Sequence, residues 1–231
     1  MNPHPEPVET PGLEERLQVS AVDASTEALR VAIVDGEFPA GSRLVEMEIT
    51  ARLGVSRNTV REVFRILQAE RLVEREAHRG VVVRTLTPES IKDVFVVRRL
   101  AETGAIREAA SAPLGTREEC CRRMRAALAD AGAALKASDA HRLAAADLAF
   151  HGAVAALAGS GRLVEVISAI KEELRLAFGS VPDRVAFHAP YVARNAEICE
   201  LVENGEDEAA ANVLHQYLID SEAQIIALLT E

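Results

Sequence analysis

Apolar residues in the first third of the chain recur at helical spacing, interrupted by short breaks that carry glycine. Over residues 24–35, Leu29, Ala32 and Ile33 form one stripe with Ser25 placed as a cap, which predicts a first helix. Pro39 and Gly41 break the pattern. Val45, Ile49 and Leu53 then recur at i, i+4 and i+8 until Gly54, predicting a short second helix. Gly54-Val55-Ser56 is a tight turn ending in a good N-cap, and Val60, Val63, Phe64 and Leu67 follow at i, i+3, i+4 and i+7. Helix, glycine turn and capped helix make a helix-turn-helix. Leu72-Val73 and Val81-Val82-Val83 are short β-type runs around Glu76-Ala77-His78-Arg79-Gly80, a hairpin that turns the motif into a winged helix.

Beyond residues 86–90, a polar hinge with Pro88 and a cap-like Thr87, no strand pattern returns. Helical segments are expected at 88–110, 116–136, 139–158, 162–178, about 188–203 and 206–229, and their short links imply antiparallel neighbours in a bundle. The stretch 144–161 is almost wholly apolar, yet Asp147 and His151 interrupt it. A central Asp costs about 2.5–3.5 kcal/mol on membrane insertion, so the stretch predicts a buried bundle helix and no membrane partner. The expected architecture is mainly α: a mobile N-terminal arm at 1–20, a winged helix-turn-helix at 21–85, and an all-α antiparallel helical bundle at 86–231. The first twelve residues are rich in Pro and Glu, which suits an arm and fits neither a signal peptide nor an anchor.

Composition supports helices. The 231 residues are 48% hydrophobic but only 3% aromatic, without Trp, a mixture that disfavours an all-β sandwich. The net charge of −10 argues against coating nucleic acid through overall charge. It leaves room for a local basic face: residues 25–84 hold ten Arg against nine Asp and Glu, so nearly all of the negative charge lies elsewhere. Cys120 and Cys121 are adjacent and Cys199 stands alone, a poor disulfide framework that fits a reducing cytoplasm.

The third helix presents Arg57, Asn58 and Thr59 in its first turn, followed by Arg61 and Arg65. Arg bonds bidentately to guanine and Asn to adenine, and a recognition helix uses its N-terminal residues for this in the major groove. The bland alternative is a solvated basic face. In the second region, Asp147 and His151 are four residues apart and share a helix face with Ala144, Val154 and Ala158. A carboxylate and an imidazole converging in a bundle core suit one divalent ion such as Zn, Mn or Ni, or else satisfy each other by hydrogen bonding. Of Arg98 and Arg99, one turned inward would clamp a carboxylate, while an outward one would pair with Glu102 or solvent. His141 and His188 are expected at helix ends on the surface.

The segment GSRLVEMEITARLGVSRNTVREVFRILQAERLVEREAHRGVVV resembles the winged-helix signature of the GntR superfamily of bacterial transcriptional regulators. Leu53-Gly54-Val55-Ser56-Arg57, Val60-Arg61-Glu62 and Gly80 follow its pattern. Asn58-Thr59 stand where Thr-Pro is usual, and Arg71 replaces a Gly, adding a cation beside the wing. The resemblance implies DNA contacts from Arg43, Arg57, Arg61 and the tip His78, Arg79 and Gly80; Ser56, Asn58 and Thr59 complete the candidate set. VFVVRRLAETGAIREAA followed by DLAFH is similar to the FCD ligand-binding domain of the FadR-like branch, in which many members hold a metal through Asp, a His one turn later, and two further His on the last two helices. Those two positions fall on Asn195 and Tyr217 here, and His215 is two residues off, so half the ligand set is missing. Asn195 retains an amide oxygen beside Asp147 and His151 as a third metal donor; alternatively these residues bind an organic effector directly.

The reading is a ligand-responsive repressor, homodimeric on a palindromic operator in double-stranded DNA. Its effector is a small, carboxylate-bearing metabolite lodged among Arg98, Asp147, His151, Asn195 and Tyr217. Two rivals are a metal-dependent hydrolase, against which stands the lack of HExxH, nucleophile-elbow and phosphate-loop motifs, and a regulator whose helical domain only dimerises. A cavity around Asp147 favours a sensor; a filled core favours mere dimerisation.

Overall fold

A computed structural model describes residues 13–179 and 181–230, with side chains from residue 21 onward. The first twelve residues of the expected arm lie outside the described residues. The chain divides between Arg84 and Thr85 into two compact units.

The first unit contains α1 (Leu13–Val34), β1 (Arg43–Leu44), α2 (Glu46–Leu53), α3 (Arg57–Ala69), β2 (Val73–Glu76) and β3 (Gly80–Val83). The predicted stripes are its core: Leu29, Ile33, Ile49, Val60, Val63, Leu67 and Leu72 are all buried. Helix α1 starts well upstream of the expected position 24, so Ser25 is not a cap but a buried mid-helix residue. Gly54 ends α2 in the left-handed region at φ 67°, which lets its N–H return to the Thr50 carbonyl and aims the chain into α3. Ser56 caps α3, its hydroxyl accepting from the Thr59 N–H at 3.1 Å. The wing is a three-stranded antiparallel sheet in the order β1-β3-β2, with Arg43 opposite Val82 and Glu76 opposite Gly80. At two residues, β1 is too short for a periodicity to reveal. Arg30 of α1 holds Glu70 just past α3 through two bonds of 3.0 and 2.7 Å. Arg71 adopts φ 58°, a left-handed conformation costing a non-glycine residue on the order of 1–2 kcal/mol, which accounts for the glycine at this point of the resembled motif.

The second unit consists of α4 (Pro88–Glu108), a single 3₁₀ turn, α5 (Thr116–Ala137), α6 (Ala140–Ala156), α7 (Gly161–Gly179), α8 (Arg184–Glu203) and α9 (Asp207–Thr230). Thr87 and Ser90 form a reciprocal capping box at the start of α4, with Pro88 in the first turn where its missing N–H costs nothing. Helix α6 is the central element, packed by α4, α5, α7 and α8. This explains a sequence that is apolar around its whole circumference: Leu143, Leu148, Phe150, Ala153, Val154 and Ala155 are all buried. Among the described residues no helix is long and apolar enough to cross a membrane.

Candidate functional site: a nucleic-acid interface and a buried polar core

The open face of the first unit lies along α3 and the wing. Arg57 and Asn58 are exposed in the first turn of α3, and Arg61 and Arg65 continue the face. A groove of about 550 Å³ runs between α3 and the strands, lined on its basic side by Arg43, Arg61, Arg65 and Arg75. Arg75 was not singled out from sequence, because its place opposite Val81 in the wing only emerges from the strand register. His78, Arg79 and Gly80 stand at the tip, His78 at φ 65° and Gly80 at φ 81°. One expected contact is corrected: Thr59 is 6% exposed and turned inward, its hydroxyl 2.9 Å from that of Ser56, because the cap draws it against the helix start.

Several of these cations are held by neighbouring carboxylates. Arg61 bonds Glu46 at 3.1 Å, Arg65 bonds Glu62 at 3.0 Å, and Arg79 bonds both Glu76 at 2.7 Å and the Gly41 carbonyl at 2.9 Å. Among the described residues no carboxylate pairs with Arg43 or Arg57. Exposed pairs of this kind are worth about 0–1 kcal/mol, so phosphate oxygens compete for them readily.

In the second unit, helical spacing brings a polar cluster into a dry core. Arg98 Nε donates to Glu102 Oε1 at 2.7 Å, and Glu102 Oε2 lies 2.6 Å from His151 Nδ1. His151 Nε2 lies 3.1 Å from the Tyr217 hydroxyl, which donates to Asp147 Oδ1 at 3.0 Å. Asn195 Nδ2 donates to the same oxygen at 3.0 Å. The five residues expected about one site therefore meet in one chain of bonds across α4, α6, α8 and α9. Every member is at least nine-tenths buried.

Charges in the cluster compensate one another. Burial pushes the Glu102 carboxyl up, but Arg98 and His151 outweigh it and hold the group at about 2. Burial likewise raises Asp147, and His151, His188, Arg98 and the Tyr217 hydroxyl bring it below the usual carboxylate range. Tyr217 is driven well above the ordinary phenol value by burial and by Asp147, so it is a neutral hydroxyl. Arg98 faces inward and spends Nε on Glu102, while its Nη2 is buried without a hydrogen-bond partner. Arg99 is half-buried and pairs with Glu222 instead.

His188 corrects another expectation. It is not a surface residue but is 2% exposed, because Asp183 caps α8 four residues earlier than expected, accepting from Ala186 N–H at 2.9 Å, and so carries His188 inside the helix. Its position two turns before Asn195, on the same face, was the available signal. Phe178 and Phe187 pack edge-on against the ring at 4.6 and 4.9 Å. Burial lowers its pKa, only partly offset by Asp147. Nδ1 stands 3.9 Å from Asp147 Oδ2, and neither ring nitrogen, nor Asn195 Oδ1, has a hydrogen-bond partner. These groups border a void of about 10 Å³ among Ala127, Ala131, Ala146 and Phe150, the space of one water. The core is filled except for this chamber. His141 is exposed, as expected.

A winged helix joined to a helical unit with a polar interior defines a DNA-binding regulator with a sensory or assembly domain. The comparisons agree. Residues 23–83 match the model for bacterial regulatory proteins of the gntR family, and residues 93–220 match the FCD domain. A GntR transcriptional regulator of known crystal structure from Rhodococcus sp. RHA1 is 40% identical, with a TM-score of 0.79 over 90% of this chain and 98% of that one. A protein of Paenarthrobacter nicotinovorans, named a probable D-xylose utilization operon transcriptional repressor, is 30% identical over 80% of each chain. An HTH-type regulator from the TAR-I ttuE-ttuC' intergenic region of Agrobacterium vitis is 33% identical over 59% of this chain and 80% of its own length. The chain belongs to the GntR family, its second unit is an FCD domain, and it is a DNA-binding transcriptional regulator.

FCD domains often bind metals, which makes the donor set here a test. The expected ligands Asp147, His151 and Asn195 do not fit one. His151 uses Nδ1 on Glu102 and Nε2 on Tyr217; Asn195 turns its amide nitrogen toward Asp147. Among the described residues no group of three or more His, Cys, Asp or Glu is arranged to hold an ion.

Proposed function

We propose that the protein is a homodimeric repressor that reads a palindromic operator through two winged helices and releases or tightens its grip when a small metabolite enters the helical unit. The observation that carries this reading is the set of buried groups left without partners on His188 and Asn195; by volume, a core with space for one water suits the dimerisation-only reading, and these orphaned atoms are what favour a sensor. Buried polar atoms without partners are costly, so a site that retains them is suited to a ligand that supplies the partners. Asp147, Asn195 and His188 border the void, and Tyr217, His151 and Arg98 continue from Asp147 as the bonded chain behind it. Entry of anything larger than a water requires α5 or α8 to give way. The bond chain ends on Arg98 and Glu102 of α4, the helix that follows the division between the two units, so movement in the core reaches the linker.

Dimerisation is proposed through the exposed side of α4 and α9. Val96, Leu100 and Ile219 account for three of the six large hydrophobic residues exposed among the described residues, and Ile219 lines a shallow cleft of about 540 Å³ with Arg99, Ala223 and Ile226. A second copy covers such a patch by two-fold symmetry. Two half-sites would also give the selectivity that one small winged helix lacks.

Selection of bound duplexes from random DNA, followed by footprinting, tests the reading. Two related half-sites in inverted repeat, with binding altered by a compound that also raises thermal stability, is the expected result. A sedimenting monomer that binds one half-site would contradict the dimer, and a stable protein that no compound in a metabolite library affects would contradict the sensor.

A further inference from the structure

Asp147 Oδ1 and His151 Nε2 are 3.8 Å apart, close enough for a single divalent ion to bond both. One atom already connects them: the Tyr217 oxygen, 3.0 Å from the carboxylate and 3.1 Å from the imidazole. We infer that this FCD domain works without a metal, with the Tyr217 hydroxyl bridging the two groups that an ion would otherwise join.

Donor accounting supports the substitution. Tyr217 has a single proton and gives it to Asp147, while both nitrogens of His151 are engaged, Nε2 at 3.1 Å from the phenol oxygen and Nδ1 at 2.6 Å from Glu102 Oε2. An imidazole engaged at both nitrogens has no lone pair for a metal. Asp147 Oδ1 also accepts from Asn195, and Glu102 is held by Arg98. The chain then reads guanidinium, carboxylate, imidazole, phenol, carboxylate, amide. Its two buried carboxylates are each held by protein donors, Glu102 by Arg98 and Asp147 by the Tyr217 hydroxyl and the Asn195 amide, which is the role an ion would otherwise play. The ring of Tyr217 is fixed as well, packed on His151 at 5.1 Å and on Tyr191 at 4.6 Å.

The donors left free are one carboxylate oxygen of Asp147, His188 and the Asn195 amide oxygen. With a single imidazole and room for about one water, they suit a hydrogen-bonded guest better than an ion of the imidazole-preferring kind. Tyr217 and Asn195 are thus the two residues that convert the core.

The test uses full-length protein purified without a metal-affinity step. Elemental analysis and melting temperature are recorded alone, with Zn²⁺, Ni²⁺ or Mn²⁺, and with EDTA, for wild type and for the double variant Asn195→His, Tyr217→His. Wild type should carry no stoichiometric metal and melt at the same temperature in every condition. The double variant should take up about one ion and gain on the order of 5–10 °C from it, reversed by EDTA. Metal near one per chain in wild type, or a wild-type melting point raised by any of the ions, overturns the inference, whether or not His188→Ala removes it. So does a folded double variant that takes up no ion. If the double variant fails to fold, the wild-type measurements decide.

Discussion

Tyr217→Phe removes one oxygen and little else. The ring keeps its contacts with His151 and Tyr191, so the change isolates the hydroxyl. Two bonds are lost: one to the ionised Asp147, and one that leaves His151 Nε2 unpartnered where the side chain is 1% exposed. A hydrogen bond to a charged group contributes about 1.5–3 kcal/mol and an orphaned buried group costs about 1–3 kcal/mol. The two overlap because Asp147 keeps its bond from Asn195, so a net loss of about 2–4 kcal/mol is expected. For a unit of this size each kcal/mol moves the melting temperature by roughly 2–4 °C, which gives a fall of about 4–16 °C. Differential scanning calorimetry of the full chain reads it, with Tyr191→Phe as the control: that hydroxyl meets the neutral side chains of Gln224, at 2.9 Å, and Ser221, and should cost less. A Tyr217→Phe protein melting within about 1 °C of wild type would show that the bridge carries no stability, and the account of the core would fail with it.

Acid should destabilise the protein in two stages. His188 is depressed in the folded state, so below the ordinary value of 6.5 the unfolded chain takes up a proton that the folded one refuses, and stability falls by up to about 1.4 kcal/mol per pH unit. Glu102 and Asp147, also depressed, contribute stability that is complete above 4.5 and 3.8 and is lost as pH drops through their folded values. Urea midpoints of wild type and His188→Gln between pH 7.5 and 5 should diverge, wild type being steeper; parallel curves would refute the buried neutral imidazole. Glu46→Gln frees Arg61 and should raise affinity for any duplex about 1.5- to 5-fold, read by fluorescence anisotropy at fixed salt, and an unchanged affinity would mean the pair does not restrain Arg61. Leu100→Asp should turn a dimer into a monomer in sedimentation velocity, and a persistent dimer would move the interface elsewhere.

Periodicity made most of this molecule legible. The stripes ending at Gly54 and starting after Ser56 are the core of α2 and α3, and the apolar run broken by Asp147 and His151 is the buried α6. What escaped were features set by register and by helix ends. Thr59 looked exposed until the cap turned it in. A helix start near 188 was the expectation, whereas Asp183 begins α8 earlier and carries His188 inside it. Glu102 was legible as a partner of an outward arginine, yet it serves the inward Arg98, since only the packing of α4 against α6 and α9 decides which of two adjacent arginines meets the core.

The central claim is that the first turn of α3 reads bases. It is tested most directly by titrating a selected operator and a random duplex of equal length with wild type, Arg57→Ala and Asn58→Ala at one salt concentration. The account predicts that Arg57→Ala weakens operator binding by about 1–3 kcal/mol more than it weakens random binding, with Asn58→Ala relaxing base preference while leaving random affinity nearly unchanged. Equal losses on both duplexes would show that these side chains touch only phosphates, and would contradict it.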